Sequence, residues 1–287
     1  MRCRCHILLL AFSLVAAPAL HAGPTESSVN DQFKNLGYLP MPDRPAAMIK
    51  LAADIRALPP GPSKLRHADD LSHLVTAGDA GQEALQAVAD ALSQALSEAP
   101  PPAKHEQPPM PYMDLAKLVR YEQATTNLKD PLLVQATQIL AANDAETEKV
   151  DFTLADLHGK KVTFSQLHGK IVLVNFWATW CAPCRVEMSD LDVIYTHLQS
   201  QGLVVLSIDS HEDAFTIGSV IIPSGYHPPV LLDSGAKVAK QFHVDIIPRT
   251  FVFDRDGKLV AEAIDMRTQR QFLAMLAKAG LRAPGAS

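Results

Sequence analysis

The residues of this chain best suited to chemistry lie in "NFWATWCAPC", residues 175–184. Cys181 and Cys184 stand three positions apart behind an apolar run. Two thiols at that spacing can form a structural staple, grip a metal or work as a redox couple. Thiolates are both nucleophiles and metal ligands, so the pair alone does not choose. A staple across two intervening residues is the weakest reading, because a loop that short removes little entropy from the unfolded chain. Zinc needs about four protein ligands in a structural site. The chain has four cysteines and eleven histidines. Two of each, Cys3, Cys5, His6 and His21, fall in the first 22 residues. The nine remaining histidines form no i,i+4 ligand pair.

Those first 22 residues have the layout of a secretory leader. Arg2 and Arg4 precede an apolar run from Ile7 to Leu20, and small Ala22 stands at a cleavage point. A run of 14 residues is short for a membrane span, which needs about 20. The expectation is export to the periplasm, with an uncleaved anchor facing the periplasm as the alternative. Cleavage would leave Cys181 and Cys184 as the only cysteines. It would also change the net charge from −5 to −7, since 26 basic residues become 24 against 31 acidic ones. That balance, with no basic cluster, argues against nucleic-acid binding.

The elements that must position the pair follow from patterning. Residues 23–98 read as a helical N-terminal region, with helices expected over Ala46–Ala57 and in "EALQAVADALSQALSEA". Residues 99–111 hold six prolines and read as a stiff, extended linker. Residues 112–145 read as two further helices, with Asp130 as N-cap and Pro131 at the first helical position. This region is either a packed appendage or a module for dimerisation or partner docking. From residue 148 to 285 the pattern becomes strand, helix, strand, hairpin and helix. "KIVLVNFW" and "GLVVLSID" have the unbroken apolar character of strands buried on both faces. "RTFVFDRDGKLVAEAI" is a hairpin turning at Asp256-Gly257. The fold class is therefore α/β, a mixed sheet flanked by helices and preceded by a small helical region.

"KIVLVNFWATWCAPCRVEM", followed by "VDIIPRTFVFDRDGKLV", resembles a thioredoxin-fold domain, and more narrowly the TlpA/ResA-like exported thiol-disulfide oxidoreductases. "DFTLADLHGKKVTFSQLHGK" is similar to the extra N-terminal β-hairpin of that group. The resemblance covers residues 148–283 and says nothing about residues 24–145. It implies that Cys181, at the junction of strand and helix, is the nucleophile. The helix N-terminus there favours a thiolate. Cys184, one turn on, would resolve the mixed disulfide. Pro183 suits the first helical turn, where no N–H is needed. Glu187, three residues after Cys184, is a candidate base for the resolving thiol, against the alternative of a solvated helix residue. Asn175 stands where cytoplasmic thioredoxins have a buried Asp. The resemblance implies a cis bond at Ile247–Pro248, with the Ile247 backbone presented to substrate. Trp180 is expected to shield the cysteines and offer an apolar contact surface.

Two departures from the family pattern stand out. Ile246 and Arg249 replace a Gly and a Thr around Pro248, so the docking surface is expected to be apolar on one side and cationic on the other. Gly218 and Pro223 interrupt a segment that is commonly one helix, which is expected to be looser. The peroxiredoxin pattern P-x-x-x-T-x-x-C fails, because Val174 and Ala178 occupy its Pro and Thr positions.

The function expected is reduction of protein disulfides by the Cys181–Cys184 couple, with no other cofactor. The partners expected are disulfide-bearing proteins such as cytochrome c maturation substrates, a membrane-embedded electron donor, and a second copy of the chain through the N-terminal helices. The alternatives are a thiol oxidase or isomerase, and a Cu(I) metallochaperone using the same cysteines.

Overall fold

A computed structural model describes residues 23–102 and 107–281. The leader expected over residues 1–22 lies outside them, as does the middle of the proline-rich stretch.

Six helices come first: α1 (Glu26–Leu36), α2 (Arg44–Ala57), α3 (Pro62–Val75), α4 (Gly81–Glu98), α5 (Met110–Tyr121) and α6 (Pro131–Thr147). They enclose one apolar core that includes Leu51, Ile55, Leu71, Leu92 and Tyr112. Asp130 caps α6 as expected, its side chain accepting the N–H of Leu132 at 2.8 Å. Patterning missed α1 and α3. The signal for α3 was present: Leu65, Ala68, Leu71 and Val75 are buried along one face, and Pro62 sits in the first turn, where proline starts helices rather than ending them. The same reason corrects the linker. Met110 and Pro111 belong to α5, whose first turn accommodates Pro111.

The remaining chain folds as β1 (Thr153–Asp156), β2 (Lys161–Thr163), β3 (Ile171–Trp177), α7 (Ala182–Leu198), β4 (Leu203–Asp209), α8 (Ala214–Ser224), β5 (Val230–Leu232), α9 (Lys237–Gln241), β6 (Arg249–Phe253), β7 (Leu259–Ala263) and α10 (Gln269–Lys278). One seven-stranded sheet runs β2-β1-β5-β4-β3-β6-β7. Strands β3, β4 and β5 are parallel, while β6 runs antiparallel to β3, and β7 antiparallel to β6. The β1–β2 hairpin extends the sheet beyond β5. This is the thioredoxin fold with an extra N-terminal hairpin. Every residue of β3 is buried, which is why its sequence is apolar without alternation. Apolar clusters lie on the two faces of the sheet, one with Phe272 and Leu276 of α10, the other with Phe176, Phe242 and Phe251. The segment containing Gly218 and Pro223 is not looser: it is the regular helix α8. Asp213 caps its start, Pro223 falls in its last turn and Gly225 ends it at φ 69°, a conformation open to glycine.

The helical region is tied to the sheet domain by polar contacts. The N–H of Gly78 donates to the carbonyl of Met266 at 2.9 Å. Arg270 pairs with Asp79, and His243 lies 3.1 Å from Glu146.

Candidate active site at a helix N-terminus

The buried β3 delivers the chain to the C-terminal end of the parallel strands, and α7 begins five residues beyond Trp177. Cys181 is the N-cap of α7 and is joined to Cys184 by a disulfide, with Cα atoms 5.3 Å apart. The N–H of Cys184 points at Cys181 Sγ from 3.3 Å. That amide is one of the unpaired donors every helix start presents. Pro183 occupies the first turn, where its missing N–H breaks no intrahelical hydrogen bond. Both cysteines are buried, in a cluster with Trp177, Ala178 and Met188.

The turn before Cys181 is held from the loop between β4 and α8. Glu212 accepts the Thr179 N–H at 2.6 Å and its hydroxyl at 2.5 Å. Although its site is partly desolvated, these donors hold the Glu212 carboxylate below its ordinary range. Asp209, which accepts the N–H groups of His211 and Glu212, is pushed up to about 6 by burial.

Glu187 is fully buried one turn beyond Cys184 on α7, so it is not a solvated helix residue. Its Oε1 accepts the backbone N–H of Arg267 at 2.5 Å, and its Oε2 accepts Asn175 Nδ2 at 3.2 Å. Burial pushes the carboxyl up to about 8, against the opposing pull of the Arg267 N–H, the Arg267 charge and Asn175. A carboxyl raised this far can take and return a proton near neutral pH.

The bond between Ile247 and Pro248 is cis. Ile247 is partly buried against the cluster that contains both cysteines. Outside it stands an exposed apolar rim: Trp180 is 69% exposed, Phe215 87% and Ile246 66%. Trp180 is thus surface, and Trp177 is the tryptophan packed with the sulfurs. Arg249 does not make the docking surface cationic. Its guanidinium pairs with buried Glu262 and lies 5.6 Å from the centre of the Tyr121 ring, facing the helical region.

Thr250, whose hydroxyl accepts Asn175 Nδ2 at 3.0 Å, was not legible as a site residue, nor were Glu212 and Arg267, since no local pattern marks them. A separate cluster in the helical region was also missed. Asp69, His73 and Asp114 bring ligand atoms within 4.8 Å of one another, but the Lys117 ammonium already sits 2.8 Å from Asp114.

Fold and site together define a thiol-disulfide oxidoreductase of the thioredoxin fold. The family described as AhpC/TSA matches residues 146–262. The thiol-disulfide oxidoreductase ResA of Bacillus anthracis is 34% identical over 131 residues, which cover 46% of this chain and 76% of that protein. ResA of Bacillus subtilis is 33% identical over 125 residues, covering 42% and 70%. Among solved structures, a thiol:disulfide interchange protein of the thioredoxin family from Chlorobium tepidum is 27% identical, with a TM-score of 0.42, covering 45% of this chain and 92% of its own. StoA from Bacillus subtilis is 20% identical, with a TM-score of 0.40, covering 44% and 96%. The chain belongs to the ResA-like thiol-disulfide oxidoreductases.

Proposed function

We propose that the protein is an exported reductase of protein disulfides. The Cys181 thiolate attacks one sulfur of a substrate disulfide. A mixed disulfide forms, and the other substrate sulfur leaves as a thiolate and takes a proton from water. Cys184 then loses its proton to the Glu187 carboxylate and attacks Cys181 Sγ. The second substrate thiolate departs and is protonated in turn. Two electrons pass to the substrate, and the enzyme is left with its own disulfide and a protonated Glu187. In the return direction, a dithiol donor opens that disulfide, and Cys184 takes the Glu187 proton as it leaves. Matching the carboxyl to a thiol in this way is what general acid–base transfer requires.

The observation that carries the direction is the buried carboxyl of Glu187 one helical turn beyond Cys184, with Ala182 and Pro183 between the cysteines. No positive side chain separates the sulfurs, and a neighbouring acid disfavours thiolates. A less stabilised thiolate is a better electron donor. The potential should lie nearer about −270 mV than about −120 mV. Redox titration of the couple tests this: a value at the oxidising end makes the protein an oxidase.

Export is supported by the leader-like residues 1–22 and by the absence of other cysteines from the rest of the sequence. Such a reductase needs electrons from outside its compartment, and a membrane-embedded dithiol carrier fits that need. Its substrates are proteins that present disulfides along the Ile247 backbone, with Trp180 and Ile246 as apolar contacts.

A further inference from the structure

Arg267 is a buried arginine on the short loop between β7 and α10. Its two ends face different parts of the molecule. The backbone N–H donates to Glu187 Oε1 at 2.5 Å. The side chain reaches the helical region, where Nη1 donates to the carbonyl of Thr76 at 2.8 Å and Nη2 pairs with the carboxylate of Glu122. Glu122 is itself buried and follows the last residue of α5, and Thr76 follows the last residue of α3. Two separate helix ends thus converge on one guanidinium. Its planar fork suits a carbonyl and a carboxylate at once, which a lysine ammonium does not reproduce.

We infer that Arg267 is a positioning residue through which the N-terminal helices, by Glu122 and Thr76, hold the Glu187 carboxyl at the dithiol.

This rests on the proton-transfer role given to Glu187 above. It also gives the helices a task in the redox site that neither a packed appendage nor a dimer contact would have. An amide donor at 2.5 Å favours the charged form of a carboxyl, and a loop between two elements keeps that distance only if something else fixes it. The guanidinium anchor does so from the far side. A bare interface contact has a different layout. Arg270 and Asp79 cross the same boundary through side chains alone, and neither touches Glu187.

The test is a ¹³C NMR titration of the Glu187 carboxyl in the intact chain, assigned by its loss in Glu187→Gln. The disulfide form is used, so neither cysteine titrates. The other titratable or charged groups that face Glu187 are Arg267 and Asp265 on the same loop and Tyr226 after α8. From β3, Asn175 does not titrate.

In Arg267→Lys the charge stays and the two-pronged anchor is lost, and the midpoint rises by about one pH unit, the scale of a lost charge-assisted hydrogen bond. Asp79→Asn, across the same interface, leaves it in place. A folded Arg267→Lys with an unmoved or lowered midpoint would overturn the inference, as would an equal rise in Asp79→Asn. If Arg267→Lys does not fold, Arg267→Gln, which keeps a donor for Thr76 and Glu122 on a shorter side chain, decides by the same rise. Turnover does not enter this readout. Failure of the Glu187 proton role appears separately, as undiminished reductase activity of Glu187→Gln.

Discussion

Asn175 Nδ2 lies 3.2 Å from Glu187 Oε2 and 3.0 Å from the Thr250 hydroxyl, and so ties β3, α7 and β6 together behind the dithiol. Asn cannot titrate, so the only protonatable group at this junction is Glu187. The thioredoxin fold is kept, while the buried carboxyl sits on the helix α7 instead of on the strand β3.

Replacement of Glu187 by Gln keeps the shape and removes the proton carrier. Protein-disulfide reductase activity should fall by about 10²-fold, the lower end for general acid–base transfer. Its pH profile between 6 and 9 should also lose the inflection that belongs to this carboxyl. An unchanged profile removes Glu187 from the mechanism.

The same carboxyl sets a stability slope. Its native midpoint, about 8, lies above its ordinary value of 4.5. The native state therefore binds the proton more tightly than the unfolded chain. Stability is undiminished below about pH 4.5 and is lost progressively as pH rises to about 8. Glu187→Gln abolishes this share. Asp209 and Glu262, also raised, contribute equally to both proteins. Urea unfolding at pH 5 and pH 8.5 should show a smaller loss in the variant, and an equal loss contradicts the assignment.

Cys184→Ser should arrest turnover after the first exchange. A mixed disulfide then accumulates on Cys181 and is seen by mass in non-reducing conditions. Cys181→Ser should trap nothing. Adducts that form on Cys184 instead reverse the two roles.

Arg249→Ala leaves Glu262 buried without its cation. The cost should be about 3–5 kcal/mol of unfolding free energy, as for other broken buried pairs, with KM for a protein substrate unchanged. A raised KM with native stability would instead restore Arg249 to the docking surface.

Trp180→Ala removes an exposed ring next to Cys181. Loss of that contact should lower kcat/KM for a protein disulfide by about tenfold, near 1.4 kcal/mol of apolar contact. Reduction of a small-molecule disulfide should be unaffected. Equal losses on both substrates would mean that the ring acts on the sulfurs themselves.

What patterning reached, it reached through local physics. The apolar run of β3 is readable because a strand covered on both faces is apolar at nearly every position, here all but Asn175. The Cys181–Cys184 spacing is readable because one helical turn brings the two residues together. Helix α3 is less legible because it follows the prolines of "LPPGP", the last of which, Pro62, sits in its first turn. Glu187 was legible as a candidate, but its burial was not, since an acid three residues from a cysteine has the same spacing on a wet helix as on a dry one.

By itself the sequence determined the redox pair, the helix that starts at it, the sheet behind it and the helical character of the preceding region. Each of these depends on residues close along the chain. Only the tertiary structure decided that Arg249 turns to Glu262, that Asn175 meets Glu187, and that Arg267 joins Glu122 to the redox site across 145 positions. Such contacts depend on which surfaces meet once the elements pack, and a buried ion pair leaves no periodic trace in the chain.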